Sequence, residues 1–272
     1  MFLTSLAAGV IGSIVGIGGG LLVTPVLTLI FGVDIHLAIG ASIVAIIATS
    51  SGGAVAYVRD RITNIRVGMY LEIGTTLGAI TGAAIAAYAN SALLFGIFGA
   101  VLLASVFPLL RKRKEELPVG VQNDSISSRL HFFSSYPDQR MGKEIPYNVK
   151  GSGVGLVIMY VAGLLSGLLG IGSGAFKVLG MENAMHLPMK VSTTTSNFMI
   201  GVTAAASAGI YFVRGDVDPF IVAPVVLGIL GGAVGGTRIL VRARNTTVRL
   251  IFIVALLCIS IEMIGKSLGL LP

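Results

Sequence analysis

The sequence predicts an all-α integral membrane protein built from two inverted repeats, each made of a broken-helix hairpin and three spanning helices. Three observations support this fold class. Charged side chains make up 11% of the 272 residues and hydrophobic ones 54%, whereas a soluble domain carries about 25% charged residues. Thirteen of the thirty-one charged residues fall within 111–150. Glycine-rich motifs recur at a fixed distance along the chain.

Long stretches without Asp, Glu, Lys or Arg supply the predicted spans. A hydrocarbon core about 30 Å thick needs about 20 helical residues, and lipid accepts only helices or closed barrels. The stretches are continuous rather than alternating, which favours helices. They cover residues 1–33, 35–58, 73–110, 151–176, 191–213 and 220–237. The first stretch has no basic start and no evident cleavage site, so we expect a membrane segment rather than a removable signal.

An internal repeat organises these stretches into two halves. The motif Gly-Ile-Gly-Gly-Gly at 16–20 returns 154 residues later as Gly-Ile-Gly-Ser-Gly at 170–174. Further residues match at the same offset: Gly74, Gly78 and Gly82 with Gly228, Gly232 and Gly236, and Ser42, Thr49 and Tyr57 with Ser196, Thr203 and Tyr211. Several matches at one offset indicate duplication. The predicted units are a membrane repeat at 1–110, a charged loop at 111–150 and a second membrane repeat at 151–272.

The charges of corresponding loops predict that the two halves are inverted. Residues 59–66 carry three arginines, but the matching residues 214–219 carry one arginine beside two aspartates. The turn at 88–92 is uncharged, whereas its partner region at 238–249 carries four arginines. Since basic loops favour the cytoplasm, we expect loop 111–150 inside and both termini outside. Eight plain spans in parallel halves are the alternative.

The two glycine motifs are the strongest candidates for a binding site. Consecutive glycines break a helix, because each costs about 1 kcal/mol relative to alanine. A break at membrane depth exposes backbone N–H groups and the positive end of a helix dipole, which together bind anions. The alternative role of glycine is to allow close packing between helices. We assign that role to the glycines spaced by four residues at 74–82 and 228–236.

Several polar residues inside the apolar stretches extend this site. Lys177 follows the second motif by three residues, and an intramembrane lysine is a functional candidate; snorkelling to an interface is its alternative. Ser196 and Asn197 end a dense polar stretch, 192–197, and could complete an oxyanion cage. Glu72 could carry a coupling proton, although a pairing with Arg66 is slightly preferred.

Other functional classes find no support in the residues. The sequence has neither a His-Glu-x-x-His nor a Cys-x-x-Cys pattern, and its glycine motifs lack the Lys-Ser/Thr end of a nucleotide loop. The loop 111–150 is mixed in sign and predicts a cytoplasmic linker beside anionic headgroups rather than a nucleic-acid-binding domain. We therefore expect neither an enzyme nor a cofactor, metal or nucleic acid. The partners expected are a small anion and the lipid bilayer, and a homodimer remains open.

The motif at 16–20 followed by Pro25 resembles the first repeat of the TauE/SafE sulfite-exporter family. The motif at 170–174, with Lys177 and the Ser/Thr-rich residues 191–197, is similar to the family's second signature. The sequence departs from the usual pattern at Ser173, where glycine is common, and at Leu179, where proline is expected. The resemblance carries over these site residues: Gly18, Gly19, Gly20, Gly172, Ser173, Gly174 and Lys177.

The resemblance implies a secondary transporter of a small sulfur-containing anion such as sulfite, sulfoacetate or another organosulfonate. It implies an exporter in a prokaryotic cell (inner) membrane that works by alternating access. A passive anion channel lined by the same residues is the alternative function.

Overall fold

The computed structural model describes residues 1–15, 20–59, 62–110, 120–138, 142–240 and 245–270. It is mainly helical, as the apolar stretches predict. The helices of the first half are α1 Phe2–Val15, α2 Gly20–Pro25, α3 Ile35–Arg59, α4 Ile65–Tyr88 and α5 Ser91–Leu110. Helix α2 continues as the π-helical turn Val26–Ile30. The helices of the second half are α7 Ser152–Leu169, α8 Gly174–Asn183, α9 Met189–Arg214, α10 Pro219–Leu240 and α11 Asn245–Ser267.

The helix lengths fit a chain that crosses a membrane repeatedly. Among the described residues, α4, α7 and α9 are each long and apolar enough to span a bilayer. Shorter apolar helical segments cover Gly20–Ile30, Ile35–Ser50, Ser91–Val106 and Pro219–Ala233. Among the described residues, each half thus has a first helix and a short second helix, and three longer helices follow.

The helices pack in the same way when the two halves are exchanged. Helix α4 of the first half packs along α7 of the second, and α10 packs along α1. Helix α3 packs on its counterpart α9, and α5 packs on its counterpart α11. The duplication read from the sequence is therefore matched by the packing of the folded helices.

Glycines permit the closest of these contacts. A Cβ atom added at Gly78 would overlap the Tyr160 carbonyl oxygen of α7, and one at Gly232 would overlap the Leu6 carbonyl oxygen of α1. The structure thus assigns the spaced glycines to packing, as their helical spacing predicts.

Contacts between residues fix the relative directions of the helices. Residue numbers rise together along α4 and α7, because Gly74 faces Leu156 whereas Gly82 faces Leu164. They run oppositely along α3 and α9, where Gly40 faces Asp216 whereas Gly201 faces Ser50. Helices α4 and α7 are therefore parallel, while α3 and α9 are antiparallel.

Helices α5 and α11 are antiparallel as well. Gly96 faces Ser267 whereas Gly99 faces Ile264. The Ser260 hydroxyl donates to the Gly99 carbonyl at 2.7 Å and joins the two helices.

The loop between the halves is more ordered than the sequence predicts. Instead of a plain linker, it contains α6 Ser125–Leu130 and an antiparallel hairpin of β1 Ser134–Asp138 and β2 Lys143–Tyr147. We call residues 120–138 and 142–150 the cap module. Its buried side chains Phe132, Tyr136, Ile145 and Tyr147 join an apolar cluster with Val67 and Leu71 of α4 and with methionines of α7–α9. Apolar burial of these aromatic residues explains why a charged stretch folds.

Asn64, just before α4, anchors the cap module. Its side-chain amide donates to the Phe132 carbonyl at 2.7 Å and to the Tyr147 hydroxyl at 2.9 Å. Its backbone N–H donates to Thr195 of α9 at 3.1 Å. One residue thus connects the cap module, α4 and α9.

Replacement of Gly78 by alanine should destabilise the protein. Because the obstacle is backbone of α7, the helices must separate, at a cost of about 1–3 kcal/mol. The thermal midpoint in detergent should fall. Gly209→Ala is the matched control, since a Cβ there meets nothing within 4 Å and its midpoint should be unchanged or higher. Equal midpoints for the two variants would contradict the packing role.

Attachment of the cap module to α7 should weaken in acid. Asp124 accepts hydrogen bonds from the backbone N–H groups of Ser127 at 2.6 Å and Ser152 at 2.7 Å. Partial burial raises the pKa of Asp124, but these hydrogen bonds outweigh it and hold the pKa below its ordinary value of 3.8.

A lowered folded-state pKa gives stability that is present above pH 3.8 and lost as the pH falls through the folded value. In that acidic range, hydrogen exchange at the Ser127 and Ser152 amides should become faster relative to an unprotected amide at the same pH. Asp124→Ala should give the fast exchange already at neutral pH, whereas Glu144→Gln on the exposed hairpin should not. Slow exchange in Asp124→Ala would refute the anchoring role.

Candidate functional site

The break before α8 has a specialised backbone. Gly170, Gly172 and Ser173 adopt left-handed φ values of 65°, 70° and 50°. Glycine adopts this region freely, whereas for a residue with a side chain it costs about 1–2 kcal/mol. Ser173 therefore occupies a strained position, and strain of this kind clusters at functional sites.

Ser173 is also polar and unsatisfied. It precedes the first residue of α8 but makes no side-chain capping hydrogen bond. Its hydroxyl is buried, and among the described residues it has no hydrogen-bond partner. The first N–H groups of a helix likewise lack partners within the helix. An unsatisfied hydroxyl thus lies at the positive end of a short helix.

Two repeat-related serines hold the starts of the short helices. The Ser196 hydroxyl donates to the Gly174 carbonyl at 3.2 Å, and the Ser42 hydroxyl donates to the Gly20 carbonyl at 2.9 Å. Ser42 also lies 2.7 Å from the Gly170 carbonyl in the other half. The serines therefore fix both short helices in the same way, and Ser42 additionally joins the halves.

Lys177 is fully buried, with 0% of its surface exposed. Its ammonium group donates to the Thr203 hydroxyl of α9 at 2.6 Å. An ammonium has three donors, and Thr203 is its only hydrogen-bond partner among the described residues. Gly172 of the break lies against Ile200 of α9, and Thr203 follows Ile200 by about one helical turn. The ammonium at Thr203 therefore lies about one turn of α9 away from the break. The alternative of snorkelling to an interface does not fit this burial.

Glu72 of α4 reaches the same hydroxyl group. Thr203 donates to Glu72 Oε1 at 2.7 Å, and Thr76 donates to the same oxygen at 3.2 Å. The other oxygen, Oε2, is buried and without a hydrogen-bond partner among the described residues. Thr203 thus stands between a buried ammonium and a buried carboxyl group.

The preferred pairing of Glu72 with Arg66 is wrong. Arg66 instead donates to the His131 carbonyl of the cap module at 3.0 Å. Six residues turn a helix by about 600°, which places the two side chains on different faces of α4. Glu72 faces α9, whereas Arg66 faces the cap module.

The charged cluster lies between the halves, with Glu72 in the first half and Lys177 and Thr203 in the second, and the repeat-equivalent positions of its charges are apolar. At the repeat offset of 154, Lys177 matches Val23 and Glu72 matches Val226. Both valines pack in one apolar cluster. Thr203 matches Thr49, which donates to the Ala45 and Ile46 carbonyls of its own helix. The threonine hydroxyl recurs at the equivalent position of the other half, but the charged side chains do not.

The structure brings together most of the residues predicted for the second half. Gly172, Ser173, Gly174 and Lys177 form the break and first turn of α8, and Ser196 contacts that turn. Asn197 is half-buried and, within the described part of the chain, has no hydrogen-bond partner.

In the first half, Gly20 is buried at the start of α2. Gly18 and Gly19 lie outside the described residues, as do the side chains of Arg59 and Arg61 and those at 238–249. Thr203 was not among the site residues predicted from the sequence. Two features of the sequence point to it: it matches Thr49 in the repeat, and it lies seven residues, or about two turns, after Ser196 on one helix face.

Known proteins resemble the chain along its whole length. The family described as Sulfite exporter TauE/SafE matches residues 1–263. The chain belongs to the TauE/SafE family. Two relatives from Bacillus subtilis (strain 168) are "Probable membrane transporter protein YunE", 28% identical over 97% of this chain and 96% of the relative, and "Probable membrane transporter protein YdhB", 26% identical over 85% of each. No solved structure matches the chain significantly.

Membership in the TauE/SafE family makes this chain a membrane transporter rather than an enzyme. The resemblance seen in the glycine motifs is thereby confirmed. The left-handed φ of Ser173 gives a physical reason for the glycine that is common in the family at this position.

Replacement of Ser42 should disturb this TauE/SafE protein more than replacement of Ser196. Ser42→Ala removes the donor near two buried carbonyls, including one in the opposite half, and an unsatisfied buried carbonyl costs about 1–3 kcal/mol. Ser196→Ala removes one longer contact. Thermal unfolding in detergent should show the larger loss for Ser42→Ala. The reverse order would show that Ser42 does not connect the halves energetically.

Proposed function

We propose that this protein is a secondary transporter that exports a small sulfur-containing anion, such as sulfite, sulfoacetate or another organosulfonate. The observation that carries the proposal is Lys177, a fully buried ammonium with one described hydrogen-bond partner, beside a broken helix. An ammonium has three donors, and Thr203 accepts from one of them. A bound anion would accept from the others.

The donors around the break suit an oxyanion. The first N–H groups of α8, the Ser173 hydroxyl and the Lys177 ammonium offer donors of three kinds, which match the several oxygens of sulfite or a sulfonate. In this proposal Gly172 and Gly174 let the backbone approach the anion. The Ser196 hydroxyl donates its hydrogen bond to the Gly174 carbonyl, so Ser196 positions the first turn of α8. Asn197 completes the cage.

The first half contributes an equivalent element to the proposed site. Gly18, Gly19 and Gly20 precede or begin the short helix α2, at the repeat positions of the second motif. Gly20 is held by Ser42 as Gly174 is by Ser196. In the proposal the starts of α2 and α8 approach the anion from opposite sides.

The helix directions support inverted repeats. The counterparts α3 and α9 are antiparallel, as are α5 and α11. A two-fold axis that relates antiparallel counterparts runs across the helices, as in inverted-repeat transporters. We propose that the halves rock against each other and expose the site alternately to each side.

The first helix pair of the second half supports a re-entrant hairpin. The Lys150 amide donates to the Met185 carbonyl at 3.3 Å, and Gly151 lies against Ala184. The start of α7 therefore lies beside the end of α8. We propose a multi-pass protein of the prokaryotic inner membrane, with the loop at 111–150 on the cytoplasmic side.

Replacement of Lys177 by methionine should abolish sulfite transport. Methionine keeps much of the side-chain volume but removes the charge, so the fold should survive while the anion loses its counter-charge. Proteoliposomes loaded with sulfite would measure efflux. Lys190→Met, a half-buried lysine near the start of α9, is the matched control and should transport normally.

Normal efflux by a folded Lys177→Met variant would remove that residue from the site. The same vesicles separate a carrier from a channel. A carrier saturates and exchanges external for internal anion, whereas a passive channel gives conductance that does not saturate at modest concentration. Conductance of that kind would overturn alternating access.

A further inference from the structure

We propose that each transported anion is accompanied by one proton, which Glu72 takes up as Lys177 engages the anion, and that Thr203 couples the two events. This inference rests on the proposed function. It explains how the charge of the site stays balanced when the anion binds. It also gives a role to Thr203, a residue that belongs neither to the glycine motifs nor to the proposed anion cage.

Lys177 and Glu72 each contact the Thr203 hydroxyl, at 2.6 and 2.7 Å. In the proposal the lysine is charged and the glutamate is ionised before the anion binds, so their charges cancel. An added monovalent anion would leave one uncompensated negative charge in a buried environment, where Coulomb interactions are strong and solvation is weak. One proton on Glu72 restores neutrality.

Thr203 makes the exchange possible because its hydroxyl both donates and accepts. It accepts from Lys177 and has one proton to donate, with Glu72 Oε1 and the Met199 carbonyl, at 2.8 Å, as alternative acceptors. When the ammonium turns to the anion, the carboxylate loses the nearby positive charge. Glu72 then takes a proton from water on the open side of the transporter, and no covalent bond to the anion forms.

Glu72 has a place for that proton. Its Oε2 is buried and, among the described residues, accepts no hydrogen bond. A carboxylate oxygen in that position is costly, and protonation removes its charge. The proton returns to water on the other side when the anion leaves and Lys177 returns to Thr203.

Few other charges face Glu72. Helix α8 contributes Lys177, and that lysine is the one described charged group with an electrostatic effect on Glu72. Helix α9 contributes the neutral hydroxyl of Thr203, and α7 contributes no Asp, Glu, Lys or Arg. The Tyr160 phenol of α7 contacts Thr81, more than two turns along α4 from Glu72. The cap module engages Arg66, on another face of α4.

The repeat-equivalent positions of the two charged residues carry no charge. The positions equivalent to Lys177 and Glu72 are Val23 and Val226, both in an apolar cluster. The described part of the chain thus contains one such charged pair rather than two. This fixes the expected stoichiometry at one proton for each monovalent anion.

Calorimetry on the purified full-length protein tests the proton directly. Methanesulfonate is the probe, because it stays ionised across the pH range used, whereas sulfite itself titrates. Titrations in buffers of different ionisation enthalpy should give uptake of about one proton per anion. The affinity of the wild type should rise by up to about tenfold for each unit that the pH falls.

Variants identify the group that takes the proton. Glu72→Gln should bind methanesulfonate with an affinity that no longer varies with pH. Thr203→Val should reduce proton uptake, because it removes the hydroxyl that contacts both Lys177 and Glu72. Thr203→Ser should restore the uptake, and Thr49→Val, the repeat-equivalent control, should behave like the wild type.

The outcomes separate this inference from the transport proposal. Binding without proton uptake by the wild type would overturn the coupling and leave the anion site intact. Unchanged pH dependence in Glu72→Gln would likewise overturn the assignment to Glu72. If the wild type binds neither methanesulfonate nor sulfite, the anion site itself fails, and the coupling fails with it.

Discussion

An interrupted helix inside an apolar protein must find partners for its backbone groups, and the rest of this structure depends on that constraint. Unsatisfied buried N–H and C=O groups are expensive. Ser42 and Ser196 contact the carbonyls at the starts of the short helices, and Tyr211 donates to the Gly167 carbonyl near the end of α7 at 2.8 Å. Side chains from neighbouring helices thus contact several of the carbonyls around the break, while the first N–H groups of α8 have no partner within their own helix.

The supporting helices can do this because glycines bring them close together. Along α4 and α7, and along α1 and α10, backbone meets backbone where a Cβ would not fit. This framework recurs in both halves, whereas the repeat-equivalent positions of Lys177 and Glu72 are occupied by valines. In the proposed function, the repeat thus supplies the support, and Lys177 and Glu72 supply the chemistry.

The sequence predicted the framework better than it predicted the contacts. The offset of 154 and the glycine motifs can be read directly from the sequence, and they indicated the corresponding helices of the two halves and the break before α8. The partner of Glu72 was predicted wrongly, because Thr203 lies 131 residues away and only the packing of α4 on α9 joins them. The cap module was missed because its buried aromatic residues are scattered among charges, and their burial depends on contacts with α4.

Two halves with the same packing but different buried side chains are not energetically equivalent. A transporter with identical halves would have inward- and outward-facing states of equal free energy, because exchanging the halves would interconvert them. Here, exchanging the halves would replace Lys177 by Val23 and Glu72 by Val226. The two states are therefore not equivalent. In the proposed cycle this difference biases the resting population, so the unloaded protein has a preferred orientation before any gradient acts on it.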